Sequence, residues 1–235
     1  MMAGVFITGT DTGIGKTFVS ASLLCTLNAM GKRAVGMKPV ASGCVMTPRG
    51  LRNDDAEMLL DHSDGTPAYE SINPFALREA IAPHIAAREE GVTISLAPIA
   101  DAFARLSAAA DCIVVEGVGG WCAPLSESLM QCDMAKALRL PVILVVGLRL
   151  GCLNHAILSA RAIQADGCEL MGWIGNGIDV AMQRVRENIE TLRERLPAPC
   201  MGILPYSKDR DARRSGAHLR DAATALSGAY PPAPL

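Results

Sequence analysis

Gly9-Thr10-Asp11-Thr12-Gly13-Ile14-Gly15-Lys16-Thr17 combines glycines, a lysine and hydroxyls in a pattern suited to holding phosphate. The run follows a short apolar segment at 5–8 and opens a helical stretch at residue 16. In that context backbone N–H groups and the helix N-terminus face an anion. The lysine adds positive charge and the threonine offers a hydroxyl to a metal ion. The usual loop places four residues between its first glycine and Gly-Lys-Thr. Here five separate Gly9 from Gly15, so the loop is a variant. The plainer reading is a glycine-rich turn with a solvated lysine.

Three further positions could act on the same phosphates. Glu116 ends an apolar run and precedes Gly-Val-Gly-Gly, where a carboxylate can hold Mg²⁺ near Thr17; the bland alternative is a solvated strand-end acid. Asp54 and Asp55 begin a helical stretch. One of them serves as the helix cap and one could give the metal another oxygen, but spacing does not choose between them. Lys38, beside Pro39 at a strand end, could neutralise a transferring phosphoryl group, or could be a surface lysine. His84 and His155 lack partners at metal spacing and read as capping or core histidines. The Met and Cys residues along 130–171 read as packing.

The elements that must carry these residues alternate. Apolar, β-branched runs at 5–8, 33–38, 112–116, 142–146, 170–176 and 200–204 predict parallel strands buried on both faces. Helical stretches at 16–30, 54–61, 95–109, 130–138, 152–166 and 180–195 separate them. This βα alternation predicts an α/β fold with a mostly parallel, doubly wound sheet flanked by helices. Ligands bind such sheets beyond the carboxyl ends of the strands. That rule gathers the 9–17 loop, Lys38, Ser42, Glu116, Gly117, Gly119, Asn176 and Pro205 at one end. The segment 40–110 exceeds one crossover, so extra helices or a working loop are expected there. The charged 184–195 stretch reads as a solvated helix face with i,i+3 and i,i+4 pairs.

Composition bounds the rest. The chain has 235 residues, half of them hydrophobic and only 4% aromatic, so one large domain with an aliphatic core is expected. The domain is expected to span 1–235, with 207–235 less firmly placed and a frayed Pro-Pro-Ala-Pro-Leu tail. A net charge of −2 and no basic–aromatic stripe argue against nucleic acid as a partner. Eight cysteines at no CxxC or zinc-ligand spacing read as free, mostly buried thiols. No signal peptide and no bilayer-length apolar run are read, so a cytoplasmic location with no membrane contact is expected.

Beyond MgATP or MgGTP binding, the residues alone do not give the acceptor. Here the sequence closely resembles the ATP-dependent dethiobiotin synthetases. The resemblance is carried by the 8–17 loop, by Lys38-Pro39-Val40-Ala41-Ser42-Gly43, and by Asn53-Asp54-Asp55. It continues through Val115-Glu116-Gly117-Val118-Gly119-Gly120-Trp121 and Leu150-Gly151-Cys152-Leu153-Asn154-His155, then Gly172-Trp173, Asn176 and Pro205. The resemblance implies a P-loop fold and closure of a cyclic urea from 7,8-diaminononanoate and CO₂ (or bicarbonate). ATP is the co-substrate and Mg²⁺ the cofactor, and the reaction passes through a carbamate and its phosphoric anhydride. It implies that Gly13, Ile14, Gly15, Lys16 and Thr17 hold the nucleotide, with Thr17, Asp55 and Glu116 at the metal. Asp55 is thereby chosen over Asp54. Lys38 and Lys16 would be catalytic. Gly117, Val118 and Gly119 would lie beside the nucleotide, while Asn176, Gly177 and Pro205 would form the adenine pocket. Thr12 and Ser42 would lie near the carbamate. A homodimer is implied, with Gly151, Cys152, Leu153 and Asn154 binding the substrate carboxylate across the interface. Arg149 and Leu150 adjoin that segment, and the resemblance does not say which of them matters.

Three rivals are weaker. A corrinoid-amidating synthetase would normally add a glutaminase domain, for which 235 residues leave no room. A ParA-like switch commonly carries a lysine near the start of its loop, where Thr10 and Asp11 stand here. A nicotinamide dehydrogenase wants an acidic residue after its second strand, where Lys38 sits.

Overall fold

The computed structural model describes residues 4–228. The strands predicted from the apolar runs are all present. They are β1 (Gly4–Gly9), β2 (Ala34–Met37), β7 (Cys112–Glu116), β8 (Val142–Leu148), β9 (Leu170–Gly177) and β10 (Cys200–Leu204). They form one six-stranded sheet in the order β10-β9-β8-β1-β7-β2. Every pairing in it is parallel. Period-two alternation sends side chains to two cores. Phe6, Ile113, Val115, Leu144 and Val146 face one of them. Val5, Ile7, Val114, Ile143 and Val145 face the other. All ten are fully buried.

Helix α1 (Lys16–Ala29) covers the second face through Phe18, Val19, Leu23 and Leu27. The long segment after β2 holds two small sheets and four helices. Strands β3 (Val40–Ala41) and β6 (Phe75–Ala76) pair in parallel, while β4 (Val45–Thr47) and β5 (Gly50–Arg52) form a hairpin. The helices are α2 (Asp54–Asp61), α3 (Tyr69–Ile72), α4 (Pro83–Glu89) and α5 (Leu96–Ser107). On the first face α5 is followed by α6 (Gln131–Leu138), α7 (Cys152–Ala165) and α8 (Val185–Arg195).

Two sequence expectations need correction. The helix read over 180–195 begins at Val185. Asp179 accepts a hydrogen bond from Ala181 N and holds a turn, and Arg184 is left-handed at φ 55°, so the helix starts only after it. The paired charges on α8 are the i,i+3 pairs Arg184–Glu187 and Arg193–Glu190. The cap of α2 is neither aspartate: Asn53 accepts from Asp55 N and Ala56 N. Asp54 is exposed and Asp55 is left free for the site.

The carboxyl-terminal stretch returns to α1. Short helix α9 (Ala212–Ser215), a 3₁₀ turn (Gly216–Leu219) and α10 (Arg220–Leu226) place Leu219, Ala222, Ala223 and Leu226 in the second core. The hydroxyl of Thr26 donates to Gly216 O at 2.9 Å. The expected frayed tail lies outside the described residues. Of the eight free cysteines, four are buried, three are half-buried and Cys122 is exposed. Among the described residues no helix is long and apolar enough to cross a membrane.

Candidate active site

The carboxyl ends of β1, β2 and β7 open into a cavity of about 340 Å³. Register explains the convergence: Ile7 lies opposite Glu116, and Met37 opposite Val115. The three chains therefore leave the sheet at the same level. Thr12, Gly13, Gly15, Lys16, Thr17, Lys38, Ser42, Asp55, Glu116, Val118 and Gly119 all line the cavity.

The loop takes its shape from left-handed glycines. Gly15 has φ 81°, and a Cβ there would run into the side-chain amide of Asn176. That amide donates to Ile14 O at 2.8 Å, tying the loop to the end of β9. Ile14 itself is buried under Gly9 and Gly147. Lys16 is buried, and its Nζ donates to Gly119 O at 2.7 Å and Asp11 O at 3.0 Å. Burial, followed by the neighbouring Lys38 charge, pulls its pKa down to about 8.

Lys38 is the electrostatic centre. Its Nζ is 2.6 Å from Glu116 Oε1 and 2.9 Å from Asp55 Oδ2. Burial pulls this ammonium toward the neutral form, but the two carboxylates outweigh it and hold the pKa above the ordinary lysine value. Asp55 shows the converse. Burial pushes its carboxyl up, the Lys38 charge outweighs that, and it ends below the usual range. The group is a preformed cation between two anions, not a poised base.

The donor set suits Mg²⁺. Thr17 Oγ1 donates to Glu116 Oε1 at 2.8 Å, while the buried Glu116 Oε2 has no hydrogen-bond partner. Two carboxylates and a hydroxyl are hard oxygen donors. Among the described residues no group of three or more His, Cys, Asp or Glu is arranged to hold a metal ion. The set thus fits Mg²⁺ when phosphate oxygens and water complete it, which is how this ion is usually held beside a nucleotide.

Some predicted residues stand apart from this cavity. Asn176, Gly177 and Pro205 meet at the ends of β9 and β10, where a Cβ on Gly177 would strike the backbone at 205–206. Gly117 contributes its carbonyl, 3.4 Å from Lys38 Nζ. Gly151, Cys152, Leu153 and Asn154 form the start of α7, with Gly151 left-handed at φ 95°. Leu150 is 94% exposed, whereas Arg149 turns back to Asp11.

Sequence reasoning missed several neighbours. Phe18, Ala41, Asn53, Met58 and Arg210 also line the cavity. Asn53 was readable, since asparagine ahead of a helical stretch is a favoured cap. Gln131 had no readable signal. It is fully buried, donates to Thr8 Oγ1 at 3.0 Å and Gly120 O at 2.9 Å, and lies so close to Gly117 that a Cβ there would overlap it. It pins the 117–120 loop whose carbonyls receive both lysines.

A glycine-rich loop between β1 and α1, on a parallel sheet of this order, defines a P-loop nucleotide-binding α/β protein. Solved structures agree on the fold. MinD from Aquifex aeolicus matches with a TM-score of 0.59 at 17% identity, covering 97% of this chain and 98% of that one. A ParA family ATPase from Chlorobium tepidum TLS matches with a TM-score of 0.57 at 14% identity, covering 96% of each. A family model described as an AAA domain matches residues 3–214. Closer in sequence is the ATP-dependent dethiobiotin synthetase BioD of Xanthomonas oryzae pv. oryzae (strain PXO99A). It is 58% identical over 207 residues, 88% of this chain and 92% of the relative. The enzyme of the same name from Xylella fastidiosa (strain 9a5c) is 58% identical over 205 residues, 87% of this chain and 91% of the relative. The chain belongs to the ATP-dependent dethiobiotin synthetase family, and with it to the ATP-dependent ligases of biotin biosynthesis.

Proposed function

We propose that the protein closes the ureido ring of dethiobiotin from 7,8-diaminononanoate, CO₂ and MgATP, releasing ADP and phosphate. The reading is carried by the Lys38 ammonium, clamped between Asp55 and Glu116 beside Thr17 and Lys16. One amine adds to CO₂ and loses a proton, giving a carbamate. A carbamate oxygen attacks the γ-phosphorus, the bond to ADP breaks, and a carbamic–phosphoric anhydride forms. The second amine then attacks the carbamoyl carbon, the C–O bond to phosphate breaks, and one amine proton leaves. Phosphorylation turns a poor electrophile into one with a leaving group, and holding both amines on one chain makes closure intramolecular.

Each residue has a role in that sequence. Gly13, Ile14, Gly15, Lys16 and Thr17 cradle the phosphates, with Gly117, Val118 and Gly119 alongside them. Lys38 offsets charge on the carbamate and the transferring phosphoryl group. Lys16 leaves its two carbonyl partners for phosphate oxygens. Thr17, Asp55 and Glu116 hold Mg²⁺, which when bound neutralises phosphate charge. Thr12 and Ser42 bond the carbamate. Asn176, Gly177 and Pro205 receive the adenine. The chain works as one domain and as a homodimer in the cytoplasm. The exposed Leu150, beside the α7 N-terminus, and Leu158, midway along α7, support an apolar contact on this face. Gly151, Cys152, Leu153 and Asn154 then take the substrate carboxylate across the interface.

The test is one reaction with 7,8-diaminononanoate, bicarbonate and MgATP, read by mass spectrometry, with each component omitted in turn. Dethiobiotin that requires all three is the expected result. ADP without dethiobiotin would move the acceptor elsewhere and reject the assignment.

A further inference from the structure

Asp11 joins two parts of the molecule that the proposed reaction uses separately. Its carboxylate Oδ1 accepts from Thr12 N at 2.7 Å, and its Oδ2 accepts from Arg149 Nη2 at 2.6 Å. Its backbone carbonyl accepts from Lys16 Nζ at 3.0 Å. Arg149 follows β8 directly, and its own carbonyl accepts from Cys152 N at 3.0 Å, at the first turn of α7. Lys16 on one side and the α7 N-terminus on the other are thus linked through Asp11 and Arg149. The neighbouring frame is stiff. Thr10 N donates to Val145 O at 3.0 Å, and a Cβ on Gly147 would collide with Ile14.

A bound phosphate would alter one end of this link. Lys16 Nζ is satisfied by Asp11 O and Gly119 O. Phosphate oxygens compete for the same ammonium and release the Asp11 carbonyl. Arg149 is the side chain bonded to the carboxylate of that same residue. The pair is 42% and 46% exposed, so as an isolated surface bridge it would add little stability. Its place between two ligand sites is what gives it consequence.

We infer that the Asp11–Arg149 pair is a positioning contact that couples filling of one chain's nucleotide loop to binding, at the start of the same chain's α7, of the carboxylate of the diamino acid that reacts at the partner's loop. This rests on the substrate assignment proposed above. Linkage makes the coupling reciprocal: each ligand tightens the other by the same factor.

Calorimetry on the full chain tests it. The dissociation constant of a non-hydrolysable MgATP analogue is measured with and without saturating 7,8-diaminononanoate. For the wild type the ratio is expected to be about fivefold or more. Arg149→Met and Asp11→Asn should each bring it close to one, and Arg149→Lys, which keeps the charge, should restore part of it. Asp11→Asn retains an oxygen for Thr12 N and serves if Arg149→Met does not fold. A wild-type ratio of one, or an unchanged ratio in the folded variants, overturns the coupling while diamino-acid binding persists. Analogue binding with no diamino-acid binding at all overturns the substrate assignment and the coupling together.

Discussion

The two ends of the proposed site are built to different degrees. At the phosphate end, Lys38 and Thr17 are already bonded to Glu116, and Lys16 to the Gly119 carbonyl, inside a single chain. Glu116 is fully buried and Lys38 nearly so. At the α7 end, Gly151 and Asn154 are exposed and Leu150 projects into solvent. Electrostatic stabilisation of a transferring phosphoryl group requires fixed charges in a water-poor setting. Capture of a flexible acid's carboxylate requires only oriented N–H groups, and a second surface can finish that pocket. One chain by itself thus completes the proposed phosphoryl-transfer end and leaves the proposed carboxylate end open.

Breaking the buried end should do the most damage. Lys38→Met removes the only cation bonded to Glu116 among the described residues. Turnover should fall by at least ~10³-fold, consistent with loss of a preorganised electrostatic contact. Unfolding should become easier by about 3 kcal/mol, because a buried carboxylate is left unpaired. Steady-state kinetics and thermal denaturation check both, and near-wild-type turnover would remove Lys38 from the mechanism.

Next comes the metal set. Glu116→Gln and Asp55→Asn should each lower activity on the order of 10²-fold at limiting Mg²⁺ and shift the activation curve to higher Mg²⁺. Chelation should stop the wild type, and unchanged Mg²⁺ titrations in both variants would contradict the assignment.

The open end should respond differently. Gly151→Val places a branched side chain where φ is 95°. We expect the KM for the diamino acid to rise about tenfold, with kcat nearly retained and MgATP affinity close to wild type. A loss confined to kcat would mean that this end also shapes the reacting groups.

The smallest effect is a titration. Lys16 has its pKa lowered to about 8 by burial and by Lys38. Above that pH it loses the charge that phosphate needs. MgATP binding should weaken about threefold between pH 7.5 and 8.5 from this group alone, and protons should be taken up on binding. The linked effect on folding has a definite sign. Between pH 8 and the ordinary lysine value the unfolded chain binds more protons, so this group's contribution to stability rises with pH. Calorimetry in two buffers of different ionisation enthalpy reads the proton uptake. A pH-independent Kd over that range would place Lys16 away from the phosphates.

What the sequence showed divides along the same line. The six main strands and the phosphate loop were legible because continuous apolar, β-branched runs and glycine spacing are local signals. Lys38 and Glu116 were legible because both stand at strand ends, and the ligand rule for parallel sheets points there. The α7 end was legible only through family resemblance. The choice between Asp54 and Asp55 was not local either. It turns on which side chain faces Lys38 once Asn53 has taken the cap. Gln131 and Arg149 were illegible for a plainer reason. Their partners, Thr8 and Asp11, are 123 and 138 residues away, and no periodicity encodes such a contact.

In the proposed reaction a carbamate oxygen becomes a phosphate oxygen on the Lys38 side of the cavity. This is tested most directly by a single turnover with ¹⁸O-labelled CO₂, MgATP and 7,8-diaminononanoate, analysed by mass spectrometry of the released phosphate. One labelled oxygen is expected in each phosphate formed together with dethiobiotin. Unlabelled phosphate accompanying dethiobiotin would contradict it, because the oxygen would then have come from somewhere other than the carbamate.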